Sequence, residues 1–119
     1  GYGLSYSKFS YSNLSTNRKV YESLSDTIHI NVELQNTSKV DGYEVVQLYS
    51  SDLFAEITPD VKRLRDFKRI FIKSGESKSV NFSLPINSLG YYNNRNEKVV
   101  EKGEFSILVN NLSSNILFK

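Results

Sequence analysis

Apolar and polar positions alternate with a period of two along most of this chain. From Thr27 to Leu34 the alternation is strict, with Ile28, Ile30, Val32 and Leu34 on one face and His29, Asn31 and Glu33 on the other. Ser79 to Leu84 repeats the pattern through Val80, Phe82 and Leu84. Phe105 to Val109 is a third such stretch, and Phe9 to Leu14 a fourth in which the alternation is weaker. Successive side chains of a strand point to opposite sides of a sheet, so these segments read as half-buried strands. Turn chemistry separates them. Asn36 to Gly42 joins two strands, and its Asp41-Gly42 pair suits a backbone at positive φ; Lys73 to Glu76, Asn93 to Asn96 (a hairpin loop) and Lys102-Gly103 are the other breaks. The regular spacing predicts an all-β antiparallel sandwich of about seven to eight strands. No dozen-residue segment has helical periodicity, although Ile86-Asn87-Ser88-Leu89 after Pro85 is expected to form one helical turn.

Two segments depart from simple alternation. Tyr43 to Tyr49 is apolar on both parities, with Val46 and Leu48 on one side and Tyr43, Val45 and Tyr49 on the other. A two-layer sandwich needs only one of those sides, so the second is expected to meet a loop or another domain. In Leu64 to Ile72, Leu64, Phe67 and Ile70 lie three apart but Ile70 and Ile72 lie two apart. That change of spacing predicts a bend or bulge leading into a strand, with the apolar residues following a core pattern.

At 119 residues the chain has room for one core. Without cysteine it has neither a disulfide framework nor a thiolate metal site. Its 15 basic and 13 acidic side chains leave a net charge of +2, too even a balance for a polyanion-binding protein. Lys62 to Arg69 is the most basic stretch, but its charges read as a solvated strand surface and no nucleic-acid partner is expected. The apolar runs are too short to span a membrane, and no leader-like segment opens the chain. The chain starts without Met and contains none, which reads as a piece of something longer.

Candidate chemistry is sparse. Carboxylates that are neighbours in sequence, Asp41 with Glu44 and the group Glu97, Glu101 and Glu104, fall among turn or solvent-face residues and do not suggest a catalytic pair. His29, the single histidine, lies on the polar side of its strand with no acidic or histidine cluster near it. No catalytic, cofactor-binding or metal-ligating residue is expected. Tyrosine is more informative. Tyr2, Tyr6, Tyr43, Tyr49, Tyr91 and Tyr92 would suit either a sugar-stacking platform or a protein interface. Val45 between Tyr43 and Tyr49 favours the interface, because a valine offers no flat surface for a sugar ring.

The order of motifs is similar to that of one family. Gly1-Tyr2-Gly3-Leu4-Ser5-Tyr6 resembles the segment that opens the fibronectin type III-like, C-terminal domain of family 3 glycoside hydrolases, the β-glucosidases, β-xylosidases and their kin. Asn36-Thr37 with Asp41-Gly42-Tyr43-Glu44-Val45-Val46-Gln47-Leu48-Tyr49 resembles a strand of that domain, and Leu64 to Ile70 with Ser74-Gly75-Glu76-Ser77 its next block. Val100 to Phe105 and Ser113 to Ile116 resemble its closing hairpin, where Asn110 replaces the family's usual Gly. The resemblance spans essentially the whole chain. It implies an immunoglobulin-like, fibronectin type III-like sandwich over residues 9–119 with an interdomain segment at 1–8. It also implies an accessory role without catalytic residues, because that family's nucleophile and acid/base lie on other domains. The expected partners are therefore the catalytic domains of a parent glycosidase, met through Tyr2, Leu4, Tyr6, Tyr43, Val45 and Tyr49. The alternative is an independent carbohydrate-binding module. With its apolar face uncovered, the isolated domain is expected to self-associate. The sequence fixes no compartment: a secreted or periplasmic parent is compatible with it, and so is a cytoplasmic one.

Overall fold

The computed structural model describes residues 8–53, 62–92 and 94–119, with Tyr91 as backbone only. In chain order the strands are β1 (Phe9–Thr16), β2 (Val20–Tyr21), β3 (Thr27–Asn36), β4 (Gly42–Asp52), β5 (Arg63–Ile72), β6 (Ser77–Pro85), β7 (Tyr91–Tyr92), β8 (Lys98–Val99), β9 (Gly103–Val109) and β10 (Leu112–Phe118). A 3-10 turn at Ile86–Leu89 follows β6, as the sequence predicts. Seven of these strands are long. The other three have two residues each, too few to leave a periodicity in the sequence.

The long strands, joined by β2 at one edge, form two layers, a three-stranded sheet ordered β1-β3-β6 and a five-stranded sheet ordered β2-β10-β9-β4-β5, with β7-β8 a small separate ribbon. Neighbours are antiparallel except β2, which runs parallel to β10. The alternation places the core. Ile28, Ile30, Val32 and Leu34 of β3 and Val80, Phe82 and Leu84 of β6 face Val46 and Leu48 of β4 and Phe105, Ile107 and Val109 of β9, all buried. Burial of this shared apolar layer is the main favourable term in the fold.

Irregularities explain the weaker sequence patterns. Pairing of β1 with β3 shifts between Ser12 and Ser15, where Asn13 adopts φ 54°. This bulge moves the inward parity from Phe9 and Tyr11 to Leu14, which is why the alternation there is imperfect. Pairing of β4 with β5 jumps from Leu48–Asp66 to Tyr49–Leu64, so Arg65 is the extra residue of the expected bulge. Gly75, at φ 77°, makes the turn between β5 and β6. The Asp41-Gly42 expectation needs correction. Gly42 is not among the positive-φ glycines; it opens β4 opposite Ile72, while Asp41 Oδ1 accepts the Ser74 N–H at 2.8 Å. Asn110 takes φ 53°, the left-handed region in which Gly and Asn are the tolerated residues.

Two polar side chains organise the ends of the sandwich. Asn36 is fully buried; its Nδ2 donates to the carbonyls of Val40 (2.8 Å) and Ile72 (3.0 Å), and its Oδ1 accepts from the N–H and hydroxyl of Ser38. Its polarity is therefore spent inside the fold. Arg65 turns away from the sheet surface, donating to Ser50 Oγ and to the carbonyls of Ser88 and Leu89 at 2.7, 2.8 and 3.2 Å. It satisfies the last turn of the 3-10 segment, whose carbonyls lack partners of their own. Burial, with Arg63 nearby, lowers its pKa.

Candidate functional site

The two sheets expose very different outer surfaces. On β3 and β6 the outward positions are His29, Asn31, Glu33, Ser79, Asn81 and Ser83, an entirely polar row. Asn31 Nδ2 donates to Asn81 Oδ1 at 2.6 Å, and Ser83 Oγ lies 3.2 Å from His29 Nδ1. On β4 and β5 the outward pairs are Tyr43–Phe71, Val45–Arg69, Gln47–Phe67 and Tyr49–Leu64. Large apolar groups stand in water here: Tyr43 is 55% exposed, Val45 47%, Leu64 48% and Phe67 61%.

The face is ordered by its own side chains. The Tyr43 and Phe71 rings lie 5.0 Å apart, tilted by 59°, and the Arg69 guanidinium sits 3.9 Å from the Tyr43 ring centroid. Both distances are in the range where ring pairs and cation–π contacts attract. Tyr49, half-buried, is flanked by Leu64 on one side and Leu108 of β9 on the other.

At the open end of this face, beyond the last β4–β9 pair at Leu48–Val109, lies a groove of about 380 Å³. Tyr11, Glu44, Gln47, Tyr49, Lys62 and Asn110 line it. The Tyr11 hydroxyl, reaching across from the other sheet, donates to Glu44 Oε2 at 2.7 Å. Burial, and then the Glu44 carboxylate beside it, push the Tyr11 phenol well above its ordinary range. Tyr49 donates to Gln47 Oε1 at 3.1 Å.

Of the residues read from sequence, Tyr43, Val45 and Tyr49 fall together on the outward face, whereas Tyr2, Leu4 and Tyr6 lie outside the described residues. The core reading of the apolar residues in β5 is corrected. Only Ile70 and Ile72 turn inward; Leu64 and Phe67 are outward, joined by Phe71. Their signal was present in Phe67-x-Arg69-x-Phe71, a period of two opposite to that of Ile70 and Ile72, but it was masked by the bulge at Arg65. Tyr92 is exposed on the separate β7-β8 ribbon, so it does not extend a common row with Tyr43 and Tyr49. Glu44 is likewise not the solvent-face carboxylate expected, since it is half-buried and bonded to Tyr11. Glu97, Glu101 and Glu104 are exposed, as is His29. Among the described residues no three His, Cys, Asp or Glu side chains converge into a metal-binding group, and no helix is long and apolar enough to cross a membrane.

Seven long strands in two antiparallel layers, with a parallel strand added at one edge, define an immunoglobulin-like β-sandwich domain. Residues 44–113 match the fibronectin type III-like domain, and the chain belongs to that family. It is 38% identical over 122 residues to thermostable β-glucosidase B of Acetivibrio thermocellus, an alignment that takes in all of this chain and 16% of that protein. With a β-xylosidase of Formosa agariphila it shares 41% identity over 109 residues, covering 92% of this chain and 15% of the relative. Among solved structures, a β-glucosidase from Erythrobacter marinus superposes with a TM-score of 0.87 at 30% identity, over 99% of this chain and 16% of that one. The β-glucosidase of Listeria innocua bound to gluconolactone gives 0.83 at 32% identity, over 98% and 17%. These likenesses uphold the resemblance to family 3 glycosidases. The chain spans about a sixth of the length of the curated relatives it matches.

Proposed function

We propose that this chain is the non-catalytic accessory domain of a family 3 glycoside hydrolase of the β-glucosidase type, packed against the catalytic domains and stabilising them. The observation that carries the reading is the outward face of β4 and β5, where Tyr43, Val45, Phe67 and Phe71 occupy a surface that the sandwich does not need for its own core. Relatives many times longer than this chain support a covering body within the same polypeptide. Burying several hundred Å² of such surface at ~25 cal/mol per Å² contributes many kcal/mol before association costs are subtracted. In this reading residues 1–8 connect the domain, residues 9–119, to the rest, and the hydrolytic chemistry belongs to other domains.

The test is to delete this domain from the complete polypeptide and follow the thermal midpoint and the soluble yield. A fall in either is expected; unchanged midpoint, yield and activity would refute the proposal. A second reading, an independent carbohydrate-binding module, has one observation in its favour. The groove sets the Tyr49 ring beside amide and carboxylate groups, the side-chain mixture that binds sugars. Titration calorimetry of the isolated chain with a panel of glucan and xylan oligosaccharides decides it, since absence of heat rejects sugar binding.

A further inference from the structure

Within the apolar face Arg69 is the anomaly. It stands opposite Val45 in the middle of the β4–β5 pairing, between Phe67 and Phe71 along its own strand, where an aliphatic residue would continue the surface. Its guanidinium is held 3.9 Å from the centre of the Tyr43 ring, and that ring is braced in turn by Phe71. Among the described residues it forms no ion pair, in contrast to Arg18, which pairs with Asp26 on another part of the molecule. The outward groups around it are Tyr43, Val45, Gln47, Phe67 and Phe71; none is a carboxylate, and Gln47 Oε1 already accepts from the Tyr49 hydroxyl. Among the described residues no hydrogen bond holds its donors, and the stacking on Tyr43 orients the side chain.

An arginine stacked on an aromatic ring has given up much of its rotamer freedom, and its planar fork matches a carboxylate through two parallel bonds. Covering such a cation with a purely apolar surface would strip its water without replacement, at a cost that would oppose docking. Stacked aromatic and arginine groups inside an apolar surround are also the composition in which interface energy concentrates. We infer that Arg69, stacked on Tyr43, is the specificity anchor of this face, and that the surface covering it presents an aspartate or glutamate carboxylate to the guanidinium. The inference rests on the docking reading above and adds to it the position and charge of the main contact.

The experiment uses the complete polypeptide and the isolated chain side by side. First, hydrogen exchange over residues 43–49 and 63–72 is compared between the two; slower exchange in the complete polypeptide reports a covered face. Second, the R69K variant of the complete polypeptide is treated with a water-soluble carbodiimide, which joins lysine amines to carboxylates in direct contact, and its peptides are analysed by mass spectrometry. The expected result is a link from position 69 to an Asp or Glu outside residues 1–119. Third, R69E is expected to raise exchange over residues 43–49 in the complete polypeptide and lower its thermal midpoint by several degrees, while the isolated chain is unchanged and R69K stays near wild type. A covered face with no link from position 69, or with R69E indistinguishable from R69K, overturns the anchor and leaves docking intact. A link within residues 1–119, or equal destabilisation of the isolated chain by R69E, assigns Arg69 to the sandwich itself and likewise overturns it. Equal exchange in the two proteins removes docking and the anchor together.

Discussion

The outer face of β3 and β6 and the outer face of β4 and β5 belong to the same sandwich and enclose the same core, yet only the first is suited to water. On β3 the buried positions Ile28, Ile30, Val32 and Leu34 alternate with His29, Asn31 and Glu33, so the strand is finished once its inner row is covered. On β4 the buried Val46 and Leu48 alternate with Tyr43, Val45, Gln47 and Tyr49, and the strand keeps a second apolar row after folding. Folding accounts for the first row of each strand. The second row of β4 lies outside that shared core, and the docking proposal rests on it.

That contrast fixes the order of expected effects in the isolated chain. The largest lie on the inner rows, which the two sheets share. Leu34→Ala on β3 and Leu48→Ala on β4 should each cost about 2–5 kcal/mol, read by denaturant unfolding. A much smaller loss at Leu48 would mean that the five-stranded sheet is not an equal partner in the core. Next comes Arg65, displaced from the outward row by the bulge. Arg65→Ala strips its partners from the Ser88 and Leu89 carbonyls and should cost about 1.5–3 kcal/mol. Arg65→Lys should recover only part, because one ammonium cannot reproduce the fork.

Tyr11 links the two sheets, and its removal should be milder. Tyr11→Phe is expected to cost about 0.5–1.5 kcal/mol at neutral pH through loss of the hydrogen bond to Glu44. The pH dependence has a definite sign. The folded state raises the phenol pKa above its ordinary value of 10.0, so it favours the protonated form. The stability from this group is full below pH 10 and is lost as the pH climbs past it. The Phe variant should lack that part of the alkaline decline; an identical decline in the variant would show that Tyr11 ionises freely in the fold.

The same comparison explains what could be read from the chain. Strict alternation in β3, β6 and β9 specifies strand, face and core together, because a one-residue slip would turn every apolar group outward. The two-sided character of β4 was equally legible and located Tyr43, Val45 and Tyr49 on one surface. The other half of that surface was not. The bulge at Arg65 shifts the parity of β5 in mid-strand, so Leu64 and Phe67 look like continuations of Ile70 when they point the opposite way. Nor does local sequence reveal the pairing that sets Arg69 over Tyr43, since these residues lie 26 positions apart and meet only through the register of β4 with β5. Glu44 departs from its solvent-face expectation for a similar reason, its partner Tyr11 arriving from the opposite sheet.

The smallest expected effect is the most discriminating. Phe67→Ser removes the most exposed aromatic group of β5, and Asn81→Val removes a polar group from the opposite outer face. In the isolated chain each should change unfolding stability by no more than about 0.5 kcal/mol, since neither side chain belongs to the core. Their solution behaviour should diverge instead. Phe67→Ser reduces the exposed apolar surface and should weaken self-association in sedimentation, whereas Asn81→Val starts a new patch on the wet side and should leave it unchanged or strengthen it. In the complete polypeptide the docking proposal reverses the order: Phe67→Ser should lower the thermal midpoint and Asn81→Val should not, because under that proposal only the first touches a covered surface. If both variants behave alike there, the two outer faces are equivalent in the assembled protein, and the difference in their composition has another cause.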